Sequence, residues 1–428
     1  MHSELKELPE TDDLFVPDYL KNIYRILPTA LRCMGIAIPR DDLFAVSDVV
    51  QHLRINKAMD AKRVVVCIVD SLGTQNMLGT KMEELFNDLR GIALHSTFPS
   101  ITSSAIPSIT FGVPPTSHGI LGHIIYIPEF GTLIDTLRMS GYKTRYRDAI
   151  ASAGIDVRVL LWTEGLPSIL RKTYPNLVVA EGLPREIPGT GLGRFYVLQE
   201  NIVTFNGVID AFGMAQRVFN HFTKQKIFMT LYFPQIDTLS HKYGPTSSEY
   251  KSGCNLFHWQ LRNFVESLPP SEAKETTIVV CSDHGQNPLR EDQRIIIPED
   301  DLNQVQGILR VPPGRSGRVT HFYCKSTAKR RTLKRWLQER VENRALILDA
   351  KELNQAQLLP VPINRQILQR LGDLLLIARD GANLIIEGEN NNRNSWGLLP
   401  HRGLLGSHGS LTSDELLTPF LAFNASMM

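Results

Sequence analysis

Six side chains of types that bind metals fall in four short motifs of this sequence. Asp237 and His241 lie four residues apart in DTLSH, and on a helix that spacing places both side chains on one face, where they can share a metal. His408 lies in the glycine-flanked turn GSHG, where small neighbours allow an imidazole to approach a metal without crowding. The full set of candidate ligands is Asp70, Asp237, His241, Asp283, His284 and His408.

Each of these motifs by itself has a common structural explanation. An aspartate after a strand is most often a turn residue or a helix cap, and an isolated Asp-x-x-x-His pair is more often a solvated pair on a helix. The joint pattern of three carboxylates and three imidazoles favours a metal site instead. Oxygen and nitrogen ligands without a thiolate indicate zinc, with manganese or magnesium as alternatives.

A run of hydroxyl side chains in STFPSITSSAIPS, residues 96–108, offers candidate nucleophiles. Such runs are usually loops or helix caps, because serine and threonine side chains compete for backbone hydrogen bonds. A hydroxyl is also too weak an acid to attack a substrate unless a base or a metal ionises it. The FPS break before an apolar-periodic segment predicts a helix that begins near Thr102 with Ser100 as its cap, and such an N-terminus favours a bound phosphate.

Four apolar runs predict the strands that position these motifs: RVVVCIVD, KIFMTLYFPQID, TTIVVCSDHG and GDLLLIARDG. The segments between them include helical patterns such as GVIDAFGMAQRVFNHFTK, and this alternation predicts an α/β fold with a mainly parallel sheet sandwiched by helices. Asp70, Asp237 and Asp283 each follow one of the runs. Because the carboxyl ends of parallel strands share one edge, we expect these side chains to converge there.

The chain of 428 residues is long for a single core, so more than one unit is expected. We predict an N-terminal helical extension over 1–60 and a catalytic core over 61–290 and 371–428. A smaller α/β lobe is predicted as an insertion at 291–370, where the sequence becomes more polar and basic.

Composition and charge give no indication of a nucleic-acid or membrane partner. A formal net charge of +2 gives no reason to expect binding to nucleic acid or to an anionic membrane. The five cysteines are odd in number and scattered, which favours neither a disulfide framework nor a thiolate metal site. The N-terminus lacks a basic region followed by an apolar run, and no apolar stretch approaches the ~20 residues of a membrane span. We therefore expect a cytoplasmic protein without membrane association, while the sequence leaves its oligomeric state open.

The order of the motifs resembles the alkaline phosphatase superfamily and, within it, the type I phosphodiesterase/nucleotide pyrophosphatase-like family. The resemblance rests on Asp70, the hydroxyl segment, PPTSHG, DTLSH, SDHG and GSHG, and it covers residues 62–290 and 370–428. It implies an alkaline phosphatase-like fold and a site with two divalent metals. The implied ligands of one metal are Asp237, His241 and His408, and those of the other are Asp70, Asp283 and His284 together with the nucleophile.

The resemblance also implies which hydroxyl is the nucleophile. In the family, a threonine lies ten residues before the glycine that precedes a P..(S/E)HG segment, and counting back from Gly112 gives Thr102. The stretch TFPS resembles the TFPN signature of the nucleotide pyrophosphatases and would instead nominate Thr97. We therefore predict Thr102 as the catalytic nucleophile and a metal ligand, with Thr97 as the alternative.

The predicted function is a metal-dependent phosphoesterase that hydrolyses a phosphodiester or phosphoanhydride bond of a small phosphate ester through a phosphothreonine intermediate. A phosphomonoesterase or phosphomutase of the same superfamily is the alternative. A non-catalytic ligand-binding protein is disfavoured because all six ligands and the hydroxyl are present. Ala105 in place of a family asparagine and DSLG in place of DGFR argue against carrying nucleotide specificity over.

Overall fold

The computed structural model describes residues 5–144, 146–195, 201–305, 307–386 and 403–428. In these ranges the strands are β1 Lys6–Glu7, β2 Phe15–Val16, β3 Arg63–Val69, β4 Ile92–His95, β5 Ile124–Ile127, β6 Thr132–Asp135, β7 Ser140–Gly141, β8 Leu177–Pro184, β9 Ile202–Phe205, β10 Lys226–Phe233, β11 Thr276–Cys281, β12 Asn287–Pro288, β13 Arg294–Ile297, β14 Gly314–Ser316, β15 Val319–Phe322, β16 Ala345–Asp349, β17 Leu374–Ala378, β18 Asn383–Ile386, β19 Gly406–Ser407 and β20 Leu417–Asn424. The α-helices are α1 Ile26–Arg32, α2 Ser47–Ile55, α3 Lys81–Asp88, α4 Thr102–Phe111, α5 Pro115–His118, α6 Ala149–Ser152, α7 Leu166–Thr173, α8 Gly207–His221, α9 Gln235–Tyr243, α10 Ser248–Ser267, α11 Pro270–Lys274, α12 Glu299–Val305, α13 Thr327–Val341, α14 Ala350–Gln355, α15 Arg365–Leu371 and α16 Ser413–Leu416.

The central sheet has seven strands in the order β4-β20-β11-β3-β10-β8-β9. Strands β11, β3, β10, β8 and β9 run parallel, whereas β20 is antiparallel to both of its neighbours. Val64 and Val66 of β3 belong to one hydrophobic core and Val65 and Cys67 to another, so both faces of the strand are covered. A strand buried on both faces has apolar residues at successive positions, which is why the sequence predicts β3. The predicted α/β fold is confirmed.

A second seven-stranded sheet has the order β16-β17-β15-β14-β5-β6-β7, and its neighbouring strands pair antiparallel. The segment 291–370 contributes β14, β15 and β16 to it. The other strands come from 124–141 and 374–378, outside that segment. The division of the chain into an extension, a core and an inserted lobe stays a prediction, but this sheet draws on more of the chain than the proposed insertion.

The N-terminal residues from 5 onward contain α1, α2 and the antiparallel pair β1-β2. Leu27 and Leu31 of α1 are buried in the same hydrophobic core as Val64 of the central sheet. The backbone N–H of Phe15 donates to the carbonyl of Leu411 over 2.9 Å. This segment therefore packs directly against the chain that follows His408.

Helix α4 begins at Thr102, as the sequence predicts, but its cap differs from the prediction. The residue before the helix is Ile101, and its side chain offers no capping hydrogen bond. Ser100 was predicted as the cap, and this was wrong because its hydroxyl instead donates to the carbonyl of Ser410 over 2.7 Å. Gly112 ends the helix with a φ of +68°, a left-handed conformation that glycine adopts without a steric penalty.

Candidate metal centre

The carboxyl ends of two neighbouring parallel strands bring three of the predicted ligands together. Asp70 directly follows β3, and Asp283 and His284 follow β11, which pairs with β3. The Nε2 atom of His284 lies 3.2 Å from Asp283 Oδ2 and 3.6 Å from Asp70 Oδ1. The backbone N–H of Ser71 donates to Asp283 Oδ1 over 3.2 Å, so the two strand ends are joined directly.

The other three predicted ligands come from α9 and from the turn after β19. Asp237 and His241 lie one helical turn apart on α9, and Nε2 of His241 is 3.3 Å from Asp237 Oδ1. The Nε2 atom of His408 lies 3.2 Å from Nε2 of His241 and 3.6 Å from Asp237 Oδ1. Both side chains of DTLSH therefore face one place, as the four-residue spacing predicts.

These two sets of side chains form one continuous cluster. The imidazoles of His284 and His408 stack with their centroids 3.7 Å apart and their planes 15° from parallel. Potential ligand atoms of Asp237, His284 and His408 lie within 4.8 Å of one another, and so do those of Asp70, Asp283 and His284. His284 belongs to both groups by distance, whereas the family resemblance assigns it to one metal only.

Backbone carbonyl groups fix the orientation of all three imidazoles. In each ring, Nδ1 lies within hydrogen-bond distance of a carbonyl oxygen: 2.8 Å for His241, 3.0 Å for His284 and 3.0 Å for His408. A carbonyl can only accept, so each Nδ1 carries the proton and each Nε2 presents a lone pair to the cluster. The lone pairs of His241 and His408, 3.2 Å apart, repel each other unless a cation binds both. This donor set fits a divalent metal.

The carboxylates of the cluster also call for a cation. Burial raises the pKa of Asp70 well above its usual range, and the neighbouring Asp283 and Asp237 raise it further. Burial likewise raises the pKa of Asp283. Within the described ranges, the buried atoms Asp70 Oδ1 and Asp283 Oδ2 have no hydrogen-bond donor. A divalent cation would stabilise the ionised form of both carboxylates in a place where water cannot.

Thr102 lies against this cluster. It is the first residue of α4, and its Oγ1 is 3.0 Å from Nε2 of His284. Because that nitrogen carries no proton, the hydroxyl donates to it. Thr97 is fully buried, and its hydroxyl lies 3.5 Å from the carbonyl of Pro99. Of the two candidate nucleophiles, Thr102 is therefore the one whose hydroxyl contacts a predicted ligand.

Two side chains that sequence reasoning did not single out orient the carboxylates of the cluster. The hydroxyl of Tyr232 donates to Asp70 Oδ2, and Nε2 of Gln286 donates to Asp237 Oδ1 over 2.7 Å. Tyr232 lies inside an apolar strand, where nothing in the sequence marks it as part of a site. Gln286 directly follows HG in SDHGQ, and that adjacency was the one available signal.

Two further histidines lie near the cluster. His123 pairs with Asp135 over 3.1 Å. Burial lowers the pKa of His408, and the neighbouring His284, His241 and His123 lower it further. His123 therefore lies close enough to the site to influence it, although the sequence offered no reason to separate it from other polar residues. His118 is buried in contact with α4, and burial lowers its pKa to about 3, which makes it a neutral structural residue.

A parallel sheet with acids and imidazoles at its carboxyl edge is the arrangement of the metal-dependent hydrolases of the alkaline phosphatase superfamily. Within that superfamily, the chain belongs to the type I phosphodiesterase/nucleotide pyrophosphatase family, whose model matches residues 64–411. The family resemblance read from the motifs is thereby confirmed.

Solved structures with 13–17% sequence identity have a similar fold. Human ectonucleotide pyrophosphatase/phosphodiesterase 5 is 14% identical with a TM-score of 0.59, and the match covers 84% of this chain and 87% of that one. Phosphonoacetate hydrolase from Sinorhizobium meliloti 1021 in complex with phosphonoformate is 17% identical with a TM-score of 0.54, covering 84% and 89%. An inactive variant of the murine ectonucleotide enzyme in complex with AMP is 13% identical with a TM-score of 0.56, covering 84% and 87%.

No curated protein is similar enough to this chain to count as a match. In the part of the chain that the structure describes, no helix combines the length and the apolar character needed to cross a membrane.

Proposed function

We propose that this protein is a phosphoesterase with two divalent metals that hydrolyses a phosphodiester or phosphoanhydride through a phosphothreonine intermediate. The observation that carries the proposal is the contact of Thr102 with His284 at 3.0 Å, at the N-terminus of α4. Membership of the phosphodiesterase family supports it, and so does the convergence of five oxygen and nitrogen ligands with His241 in contact with two of them.

The proposed ligands divide into two sets. Asp237, His241 and His408 would hold one metal, and Asp70, Asp283, His284 and Thr102 would hold the other. Zinc suits this mixture of carboxylate and imidazole, and manganese or magnesium are alternatives. Tyr232 and Gln286 would orient one carboxylate of each set, because each donates a hydrogen bond to it.

Thr102, the metals and the N-terminus of α4 would each have a role in the proposed reaction. Divalent metals at such a site supply positive charge that favours an ionised hydroxyl and a departing oxygen. Thr102 would form a bond to phosphorus while the bond to the leaving alcohol breaks, and water would then hydrolyse the phosphothreonine. The free N–H groups and the dipole of the first turn of α4 favour an anionic phosphate beside Thr102.

The proposed substrate is a diester or anhydride rather than a monoester. A monoester dianion presents three equatorial oxygens that all need compensating charge, which enzymes often supply with an additional cation. The segments 96–112, 235–241 and 282–286 around the cluster contain no lysine or arginine. A diester monoanion needs less charge, and it needs room for a second alcohol group.

The test compares three substrates with zinc-reconstituted protein: bis(4-nitrophenyl) phosphate, 4-nitrophenyl phosphate and phosphonoacetate. We expect the highest kcat/KM for the diester. A clear preference for the monoester at equal metal loading would reject the diesterase proposal and favour the phosphomonoesterase or phosphomutase alternative. Turnover of phosphonoacetate alone would place the activity with phosphonate hydrolysis. No turnover of any of the three by a chain with both metals bound would contradict the proposed function.

A further inference from the structure

A buried ion pair lies next to the cluster and contributes no ligand to it. Arg318 Nη1 and Glu415 Oε2 are 2.6 Å apart, and both side chains are fully buried, with 0% of their surface exposed. We propose that Arg318 and Glu415 are positioning residues whose ion pair holds the loop of His408 in the geometry that binds metal. This inference rests on the proposed function, because it assumes that the cluster binds metals.

Glu415 contacts both ligand-bearing loops at once. Its carboxylate accepts hydrogen bonds from the N–H of Ser410 over 2.9 Å and from the hydroxyl of Thr412 over 2.6 Å. Its backbone carbonyl accepts from the N–H of Gly285 over 3.0 Å. Ser410 lies two residues after His408, and Gly285 directly follows His284. Glu415 therefore holds the chain just after two predicted ligands, His408 and His284.

Arg318 holds the same loop from the second sheet. It lies in the turn between β14 and β15, and its backbone N–H donates to the carbonyl of His408 over 2.9 Å. Its guanidinium donates to three separate acceptors: Glu415, the carbonyl of Ala382 at 2.9 Å and the carbonyl of Arg379. The planar, forked guanidinium can serve three acceptors in fixed directions, whereas a lysine ammonium is a single flexible point charge.

The backbones of this turn and of the His408 loop are in direct contact. A Cβ atom on Gly317 would lie 1.9 Å from the carbonyl oxygen of His408, and one on Gly409 would lie 2.1 Å from the carbonyl oxygen of Ser316. Neither position leaves room for a side chain. A displacement of the turn therefore displaces His408 with it, because there is no free space between them to absorb the movement.

The position of His408 matters because its contacts are short and directional. Its ring stacks on His284 at 3.7 Å, and its Nε2 faces His241 at 3.2 Å. Metal ligands tolerate errors of only a few tenths of an ångström, and residues that orient them commonly change metal affinity by about 10- to 100-fold when they are removed. The ion pair is thus placed to control metal affinity without touching the metal.

The experiment measures zinc bound per chain in competition with a chelator. Glu415→Gln keeps the size of the side chain and the backbone carbonyl that binds Gly285, but it removes the charge opposite Arg318. We expect the zinc assigned to His408 to be bound about 10- to 100-fold more weakly, while the zinc assigned to Asp70 and Asp283 is retained. Arg318→Lys should produce the same selective loss, since a single ammonium nitrogen cannot reach all three of the acceptors that the forked guanidinium contacts.

The matched control is Arg370→Lys. Arg370 is also almost fully buried, and it pairs with Glu129 over 3.0 Å, but its hydrogen bonds go to the carbonyls of Gly119 and Leu160 and not to either ligand loop. It should lower thermal stability and leave both zinc affinities unchanged. Equal zinc loss in Arg370→Lys and Glu415→Gln would show a general effect of instability and would overturn the proposal.

A milder variant keeps the proposal testable if Glu415→Gln does not fold. Thr412→Ala deletes one donor to Glu415 and leaves the ion pair in place, and we expect a several-fold selective weakening of the same zinc. Folded Glu415→Gln or Thr412→Ala with both zinc affinities at the wild-type value overturns the positioning role. A folded wild type that binds no zinc at all contradicts the proposed metal site itself, which is a separate outcome.

Discussion

Replacement of Thr102 by alanine is the sharpest test of the proposed chemistry. The change removes the only atom proposed to attack phosphorus, together with the 3.0 Å hydrogen bond to His284. Loss of that hydrogen bond should cost about 1 kcal/mol of stability, so the protein should still fold and bind metal. Loss of the nucleophile should reduce kcat by about 10⁵-fold, which is roughly 7 kcal/mol at ~1.36 kcal/mol for each factor of ten.

Thr97→Ala is the matched control because it also removes a threonine hydroxyl from the same segment. Thr97 is fully buried, so its replacement should cost about 1–2 kcal/mol of stability and change kcat by less than about tenfold. Thr102→Ser should keep measurable activity because the hydroxyl survives.

The assay measures hydrolysis of bis(4-nitrophenyl) phosphate at equal zinc content for each variant. Acid quenching and mass spectrometry then look for one added 4-nitrophenyl phosphoryl group, because attack on the diester releases one nitrophenol and leaves the second on phosphorus. In the wild type, we expect the modified peptide to contain Thr102. The corresponding peptide of Thr102→Ala should carry no modification. An inactive Thr97→Ala together with an active Thr102→Ala would show that the register of the nucleophile is wrong. A modified wild-type peptide that does not contain Thr102 would also contradict the assignment of Thr102 as the nucleophile.

Three further predictions concern the metal content, the pH dependence of stability and the role of His123. Asp237→Asn should lose mainly one zinc and Asp283→Asn mainly the other by elemental analysis, and a folded, fully reconstituted wild type with fewer than two metals would contradict the two-metal site. Metal-free Asp70→Asn should become more stable relative to metal-free wild type as the pH rises from 4 to 7.5 in thermal melts. The reason is that burial and Asp283 raise the pKa of Asp70, so the folded state keeps a proton that the unfolded state releases above about pH 4; an advantage that shrinks with rising pH would contradict this. His123→Gln should lower kcat/KM for the diester by about tenfold or more with metal content unchanged, because the imidazole that pairs with Asp135 beside the site is lost; wild-type kinetics would show that His123 has no part in the reaction.

The parts of the fold that the sequence predicted are those in which the signal is local. Strands β3, β10 and β11 are buried between helices, and Asp70, Asp237 and Asp283 follow their apolar runs within one to four residues. A parallel sheet brings such strand ends to one edge whatever the loops between them do. The convergence of Asp70, Asp237 and Asp283 could therefore be expected before any coordinates, whereas His408 lies outside the parallel sheet and was placed in the site only by the family resemblance.

The parts that the sequence did not predict depend on contacts between distant residues. The second sheet joins β5, β6 and β7 to strands nearly two hundred residues further along the chain, and the sequence offers no local signal for such antiparallel pairing. The hydroxyl of Ser100 looked like a helix cap because caps are recognised by neighbouring residues, whereas its actual acceptor lies 310 positions away.

By itself, the sequence of this protein determined the fold class, the superfamily, and the residue types and order of a candidate metal site. Only the tertiary structure decided that Thr102 and not Thr97 lies against His284, that backbone carbonyls turn the imidazole lone pairs inward, and that Glu415 joins two ligand loops. The physical reason is that the apolar pattern of each segment follows from how that segment is buried, so it can be recognised without reference to the other segments. Hydrogen-bond direction and ion pairing need partners that only the packed chain brings within about 3 Å.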